Sequence, residues 1–271
     1  MSTPSAGRLA LVGVGKMGAA MAAGWLADLS QSGVSFVALS DVAPSDEARV
    51  LAEHESAALN PVPGPVDIVV VAVKPQGFRE AAADIREWIS EETLVISIMA
   101  GVPLDVLSDV LGVERVVRAM PNTPGALGVG VTGYVLAPAC DDADRALVDR
   151  LLEPLGLVEG PLREDQMDAL TAISGSGPAY VFLMTEAMSA AGRQLGLDDD
   201  MAERLARRTV SGAGVLLERS GMDVKSLRKA VTSPNGTTEA ALDVLSRGLP
   251  NIVREAAEAA ARRSADLSRE S

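Results

Sequence analysis

Three short runs hold the residues of this chain best suited to chemistry: Gly13-Val-Gly15-Lys-Met-Gly18, Ser174-Gly-Ser-Gly177 and Ser233-Pro-Asn-Gly-Thr-Thr238. Small residues let a backbone approach a ligand closely, and hydroxyls with free N–H groups hold an anion. The first run follows an apolar segment and opens an amphipathic one, the context in which GxGxxG binds a dinucleotide. Gly13 then permits the tight turn, Gly15 lets the backbone meet the pyrophosphate, and Gly18 lets helix and strand pack closely. Val14, Lys16 and Met17 complete that turn. The other two runs interrupt segments that otherwise read as helix. They are expected to place a small carboxylated substrate beside the dinucleotide.

Further candidates stand where strands end. Asp41 follows the second apolar segment, near where an acidic residue would bond the adenosine ribose 2′-OH and repel a 2′-phosphate. A capping or turn aspartate is the competing reading, so the choice between NADH and NADPH stays open. Ala72-Val73-Lys74-Pro75 ends the third strand at its carboxyl edge, where ligands bind in open α/β sheets. Ile98, Met99 and Ala100 occupy the next such edge. Asn122, in the run Arg118–Gly125, could meet the nicotinamide end through its amide. The bland alternatives are an exposed lysine at Lys74 and a proline-rich turn around Asn122.

Composition narrows the class. The chain has 271 residues, 48% of them hydrophobic but only 3% aromatic, so its core must be built from Ala, Val, Leu and Met. A net charge of −13 argues against non-specific nucleic-acid binding, which depends on basic patches. No apolar run reaches the length of a membrane span, and residues 1–8 lack a signal-peptide core. The single cysteine, Cys140, excludes an intramolecular disulfide. A cytoplasmic location is expected. His54, the one histidine, lies in a polar stretch that reads as helical and solvated. Cys140 has no neighbour in sequence that would activate it, and metal ligation has no support.

The elements that must position these residues alternate through the first half. Strands are expected at 9–12, 34–40, 67–73, 93–98 and 115–118, with helices at 19–29, 44–58, 77–89 and 103–110 between them. This implies a parallel sheet with right-handed crossovers. Residues 129–136 would add a strand or two and 141–152 a helix. Beyond Glu164 helical periodicity takes over, at 164–195, 199–219, 224–231, 238–246 and 252–267, with Gly196, Gly221 and Gly248 as helix stops. The fold class is therefore α/β: an N-terminal Rossmann-type, doubly wound parallel sheet in residues 1–161, then an all-helical domain in residues 162–271. So small a helical domain, with Ala and Gly on its helix faces, is expected to complete its core with a second copy.

What is missing also informs. A hydroxy-acid dehydrogenase must remove a proton from an alcohol, usually with His or Lys. The segment after Gly177, Pro178-Ala-Tyr-Val-Phe-Leu-Met-Thr-Glu186, holds neither. A cyclic imine needs less help, because once protonated its carbon already accepts hydride.

With these residues in place, the chain resembles the pyrroline-5-carboxylate reductases, which make L-proline from its cyclic imine precursor. The likeness runs from Leu9 to about Leu267 and rests on the glycine turn, VKP (73–75), MPNTP (120–124), SGSGPAY (174–180) and SPNGTT (233–238). Most members carry glycine where Asn235 stands, and many carry Asn where Lys16 stands. The resemblance implies NADPH or NADH as cofactor, 1-pyrroline-5-carboxylate as substrate, and a homodimer from which decamers are built. It implies cofactor contacts at Gly13–Gly18, Ala72–Pro75, Ile98–Ala100 and Asn122. The substrate would meet Ser174, Gly175, Ser176 and Gly177, with its carboxylate on Ser233, Asn235, Gly236, Thr237 and Thr238, and Glu164 near the product. Thr238 is the expected proton donor. Two other readings stand beside it: a related NAD(P)-dependent oxidoreductase of another imine or hydroxy acid, and a non-catalytic dinucleotide sensor. The first calls for a lysine after SGSG, and the second for an eroded substrate loop.

Overall fold

The computed structural model describes residues 7–270. Strand β1 (Gly7–Val12) leads through the glycine turn into α1 (Lys16–Ala27), and a short α2 (Leu29–Ser32) precedes β2 (Val34–Ser40). Then follow α3 (Asp46–Leu51), β3 (Ala57–Leu59), β4 (Ile68–Val71), α4 (Phe78–Arg86), β5 (Leu94–Ser97), α5 (Leu104–Leu111) and β6 (Val116–Met120). Strand β7 (Gly130–Leu136), α6 (Asp142–Leu152) and β8 (Gly156–Glu159) complete one sheet, in the order β3-β2-β1-β4-β5-β6-β7-β8.

Both faces of the sheet are covered, and the alternation within β1 shows why the strands read as apolar throughout. Leu9 and Leu11 join a core with Met21, Trp25, Leu151 and Leu155 on one face. Ala10 and Val12 join Phe78, Ile85, Trp88 and Leu107 on the other. Side chains in a strand alternate faces, so a sheet buried on both sides needs apolar residues at every position. Helix α1 seats Gly18, Met21, Ala22, Trp25 and Leu26 at the spacing of one helical face. The Trp25 indole also donates to the Leu151 carbonyl at 2.8 Å, satisfying its one polar group inside the core. Because β1 lies between β2 and β4, the chain reverses its direction of travel there, and a crevice opens at the carboxyl end of β1.

Four sequence expectations change. Strand β7 runs antiparallel to β6, so the sheet is parallel only up to β6, and β8 is an additional strand pairing parallel to β7. The helix expected over 44–58 is confined to Asp46–Leu51, capped by Ser45, and the chain then turns into the three-residue edge strand β3. His54 therefore sits in a turn, with Nδ1 accepting the Ser56 N–H at 3.1 Å. Finally, Gly248 does not end a helix, as described next.

Helices α7 (Met167–Leu170), α8 (Gly177–Gln194), α9 (Asp199–Arg219), α10 (Val224–Ala230) and α11 (Thr237–Glu270) form the rest, with one π-helical turn at Thr171–Gly175. Gly196 (φ +95°) and Gly221 (φ +63°) follow α8 and α9 in the left-handed conformation of helix stops. Gly248 and Pro250 instead lie within the 34 residues of α11. A proline removes one helical hydrogen bond, a local cost that a long helix can carry. By contacts the chain forms two compact units: one runs through Gly175 and regains the segment from Ala260, and the other is Ser176–Ala259.

Candidate active site

The glycine turn is shaped by the backbone beneath it. Gly13 has φ +95°, and a Cβ there would lie 2.6 Å from the Ala72 carbonyl oxygen and 2.9 Å from the Val73 nitrogen. Only glycine combines that conformation with so close an approach. A Cβ on Gly18 would stand 2.5 Å from the Gly13 oxygen, so the first helical turn packs directly on the loop. Gly15 differs: a Cβ on it would meet nothing within 4 Å. It is the N-cap of α1 and uses no side chain to cap the helix. The first N–H groups of a helix have no intrahelical partner, and a glycine at the N-cap puts no side chain over them. The residues present fit the pyrophosphate of a dinucleotide.

The carboxyl edges of the neighbouring strands line up along this crevice. Gly13 N–H donates to the Ser40 carbonyl at 2.8 Å, and Ala72 N–H to Val12 at 2.8 Å, tying β1 to the ends of β2 and β4. Asp41 accepts from the Val14 N–H at 2.6 Å and from the Ala43 N–H at 2.8 Å. Lys16 and Lys74 are exposed, and Pro75 opens a short 3₁₀ turn. Of the next edge, Ile98 and Ala100 lie outside the buried core, while the Met99 side chain is 2% exposed and belongs to it. Any contribution of Met99 to a ligand is through its backbone.

Asn122 works within the protein. Its Oδ1 accepts the Val131 N–H at 2.9 Å, and its Nδ2 donates to the Ser174 carbonyl at 3.2 Å. It thus joins the end of β6 to the start of β7 and to the SGSG run. That run enters through the π-helical turn, a local widening that is frequent at functional sites. A Cβ on Gly175 would stand 3.0 Å from the Met120 Cε, so the small residue lets the turn lie against the end of β6. Beside it Arg118, 4% exposed, places Nη1 2.5 Å from Glu164 Oε1. The second Glu164 oxygen and the Ser174 hydroxyl are buried with no hydrogen-bond partner among the described residues. Such groups are costly to leave unsatisfied, so a ligand that bonds them gains correspondingly.

In the second unit the run from Ser233 to Thr238 forms a turn at the start of α11. Gly236 N–H donates to the Ser233 carbonyl at 3.0 Å, and a Cβ on Gly236 would lie 2.5 Å from the Ser233 hydroxyl. Asn235 takes φ +55°, the left-handed region where glycine is most at ease and Asn is tolerated. Its N–H donates to Glu239 Oε2 at 2.7 Å. Thr237 is the first residue of the 34-residue helix, which leaves the early N–H groups and two threonine hydroxyls at a helix N-terminus. That end of a helix attracts a carboxylate.

Other candidates lack partners for chemistry. Burial pushes the Cys140 thiol up to about 11, with the nearby Asp144 carboxylate adding to the shift. Its sulfur sits 3.5 Å from the Val116 carbonyl oxygen, and a thiol held that high is a poor nucleophile. Among the described residues no three or more His, Cys, Asp and Glu side chains gather as a metal site would require. No helix among them is long and apolar enough to cross a membrane. The pairing of Arg118 with Glu164 was not foreseen. The signal was a lone cation inside the apolar strand VVRAM, which calls for a partner but does not name it.

The geometry has matching counterparts among known proteins. Residues 164–267 match the family model for pyrroline-5-carboxylate reductase dimerisation, and residues 8–101 match that for coenzyme F420-dependent NADP oxidoreductases. A pyrroline-5-carboxylate reductase of Pseudomonas aeruginosa is 38% identical over 98% of both chains. The solved structure of a pyrroline-5-carboxylate reductase from Coxiella burnetii superposes with a TM-score of 0.85 at 33% identity, covering 97% of this chain and 99% of that one. That of Plasmodium falciparum pyrroline carboxylate reductase with NADP bound gives 0.75 at 28% identity, covering 97% and 99%.

Proposed function

The chain belongs to the pyrroline-5-carboxylate reductase family, and from that premise we propose how its residues divide the work of reducing a cyclic imino acid. It is an NAD(P)H-dependent oxidoreductase that converts 1-pyrroline-5-carboxylate to L-proline. The observation that carries the site assignment is the crevice at Gly13, Gly15 and Gly18, sterically required at two of the three and open at the third. The dinucleotide, when bound, supplies the hydride that the imine carbon accepts.

The protein's part is to bind, orient and move a proton. The first-turn N–H groups of α1 hold the pyrophosphate. Ala72–Pro75, Ile98–Ala100 and Asn122 shape the rest of the cofactor path, Asn122 by fixing the backbone around it. The hydroxyls of Ser233, Thr237 and Thr238, with the N–H groups at the start of α11, grip the substrate carboxylate. Asn235 and Gly236 set that turn. Ser174, Gly175, Ser176 and Gly177 accommodate the flat ring by having almost no side chain. Glu164 Oε2 accepts the ring N–H. Thr238 delivers the proton that the ring nitrogen holds in the product, replaced from solvent. Most of the rate comes from holding two reactants in register.

We divide the function at residue 161, with residues 1–161 for the dinucleotide and 162–271 for substrate binding and dimerisation. The chain self-associates through the region matched at 164–267. In keeping with this, only Ser189, Ala202 and Ala206 are buried within 176–259, while Phe182 and Leu183 are 61% and 66% exposed in a single copy. Apolar area of that kind is covered by a partner. A decamer built from five such dimers and a cytoplasmic location complete the reading. Light scattering on a sizing column tests the assembly.

The carboxylate grip is tested by comparing 1-pyrroline-5-carboxylate with 1-pyrroline, the same imine without its acid. A site built to bond a polar group rejects the analogue that lacks it, so kcat/KM should fall by about a thousandfold or more. Equal values would contradict the role of Ser233–Thr238.

A further inference from the structure

We infer that this chain prefers NADH to NADPH, because Asp41 is fixed at the mouth of the glycine turn as an acceptor of ribose hydroxyls and a barrier to a 2′-phosphate. The inference rests on the cofactor crevice proposed above and deepens it.

Asp41 is held from four directions. Its Oδ2 accepts the Val14 N–H at 2.6 Å, from within the glycine turn itself, and its Oδ1 accepts the Ala43 N–H at 2.8 Å. Its own backbone is paired on both sides by one side chain: Asn60 Oδ1 accepts the Asp41 N–H at 2.9 Å, and Asn60 Nδ2 donates to the Asp41 carbonyl at 2.9 Å. Asn60 reaches this position from a left-handed backbone, φ +46°, immediately after β3. Neither the carboxylate nor the chain carrying it can swing away without breaking these bonds. A carboxylate offers about four lone-pair positions, so two remain for other donors after Val14 and Ala43. A ribose diol brings donors. A 2′-phosphate brings only acceptors and further negative charge.

The cations near this mouth are outnumbered by acids: Lys16 shares a cavity with Asp46 and Glu47. Between residues 41 and 50 the charged side chains are Asp41, Asp46, Glu47 and Arg49. Arg49 is exposed near the end of α3, and its Nη2 points back to the Pro44 carbonyl at 3.5 Å. The start of α3 is not available to a phosphate either. The Ser45 hydroxyl caps it, and Asp46 and Glu47 fill its first turn. Like charges brought together across such a contact oppose binding strongly.

Isothermal titration of the full-length protein with NAD+ and with NADP+, repeated with AMP and with adenosine 2′,5′-bisphosphate, reads the preference without turnover. NAD+ should bind at least about tenfold more tightly than NADP+, and AMP more tightly than the bisphosphate. Asp41→Asn, which keeps the shape and one acceptor, should narrow the gap chiefly by improving NADP+. A thermal melt alongside shows whether the variant folds, and the wild-type comparison stands without it. NADP+ binding as tightly as NAD+ in the wild type would overturn the inference. So would a selective loss of NADP+ affinity in Arg49→Ala, which would make Arg49 a phosphate ligand. Binding of neither dinucleotide would overturn the cofactor crevice and this inference with it. Tight, selective NAD+ binding without turnover of 1-pyrroline-5-carboxylate would sustain the inference while contradicting the substrate assignment.

Discussion

Arg118 and Glu164, 46 residues apart in sequence, meet as an ion pair with 2.5 Å between Nη1 and Oε1. The cation comes from the inner strand β6, and the carboxylate from the segment leading into α7. Arg118 is almost wholly buried, whereas the Glu164 side chain retains 40% exposure. The pair therefore ties the end of the sheet to the entry of the SGSG run. Removing the acid leaves a buried guanidinium unpaired, which is costly.

Glu164→Ala should accordingly lower stability by about 1–3 kcal/mol, the range for a buried donor left without its acceptor. Glu164→Gln, which keeps an oxygen for Arg118, should lose less. Urea midpoints of both variants measure this. Equal midpoints for Ala and wild type would show that the ion pair is not part of the fold's stability.

Thr238 is tested by a pair of substitutions. Thr238→Ala should raise KM for the imino acid and lower kcat, because one hydroxyl serves both the carboxylate grip and the proton. Thr238→Ser should recover most of the activity. If both constants of Thr238→Ala stay within about twofold of wild type, under 1 kcal/mol of transition-state binding, the assignment fails.

The three glycines of the turn should respond differently. Gly18→Ala forces a Cβ to within 2.5 Å of a backbone oxygen, so a stability loss of about 1–3 kcal/mol is expected. Gly15→Ala has open space and an ordinary φ of −74°, and should leave stability within about 0.5 kcal/mol. Its methyl group would nonetheless stand where the pyrophosphate lies. Dinucleotide affinity should drop about tenfold or more in a folded protein, since the second glycine admits that contact. Unchanged affinity in Gly15→Ala would contradict the placement of the pyrophosphate.

Two titrations have defined signs. Burial, with help from Asp144, lifts the Cys140 thiol to about 11. Iodoacetamide at mild alkaline pH should therefore label it roughly two orders of magnitude more slowly in the native protein than in urea. Equal rates would contradict the buried thiol.

Asp141 shifts the other way. Bonds from the Asp144 and Ala143 N–H groups at the start of α6 lower its pKa. A group whose folded pKa is depressed adds stability above its unfolded value, about 3.9. That contribution is lost as pH falls through the lower folded value. Asp141→Asn should flatten the acid limb of the stability profile, and an unaltered limb would contradict the cap's role in it.

The sheet was legible where burial dictates composition. A strand covered on both faces must be apolar at every position, so Leu9–Val12 and Ile68–Val71 announced themselves. Direction was not legible. An apolar run reads the same forwards and backwards, which is why the reversal at β7 had no signature, and β8 is too short at four residues to show a period. Gly248 was read as a break because local preference disfavours glycine in helices, and Pro250 beside it is disfavoured still more. The 34-residue length of α11 carries two local penalties. At the site, glycine spacing conveyed a turn because φ and steric demand are local properties of Gly13 and Gly18. The bonds of Asn122 to Val131 and Ser174, and of Asp41 to Val14, bring together residues distant in sequence. No local pattern encodes them.

The most direct test is the initial rate of reduced-nicotinamide oxidation by the full-length protein with 1-pyrroline-5-carboxylate, with the product identified by mass and by chirality. Saturable turnover yielding L-proline in equal amount to the nicotinamide oxidised is the predicted result. Folded, dimeric protein that binds dinucleotide yet forms no proline with NADH or with NADPH would contradict it.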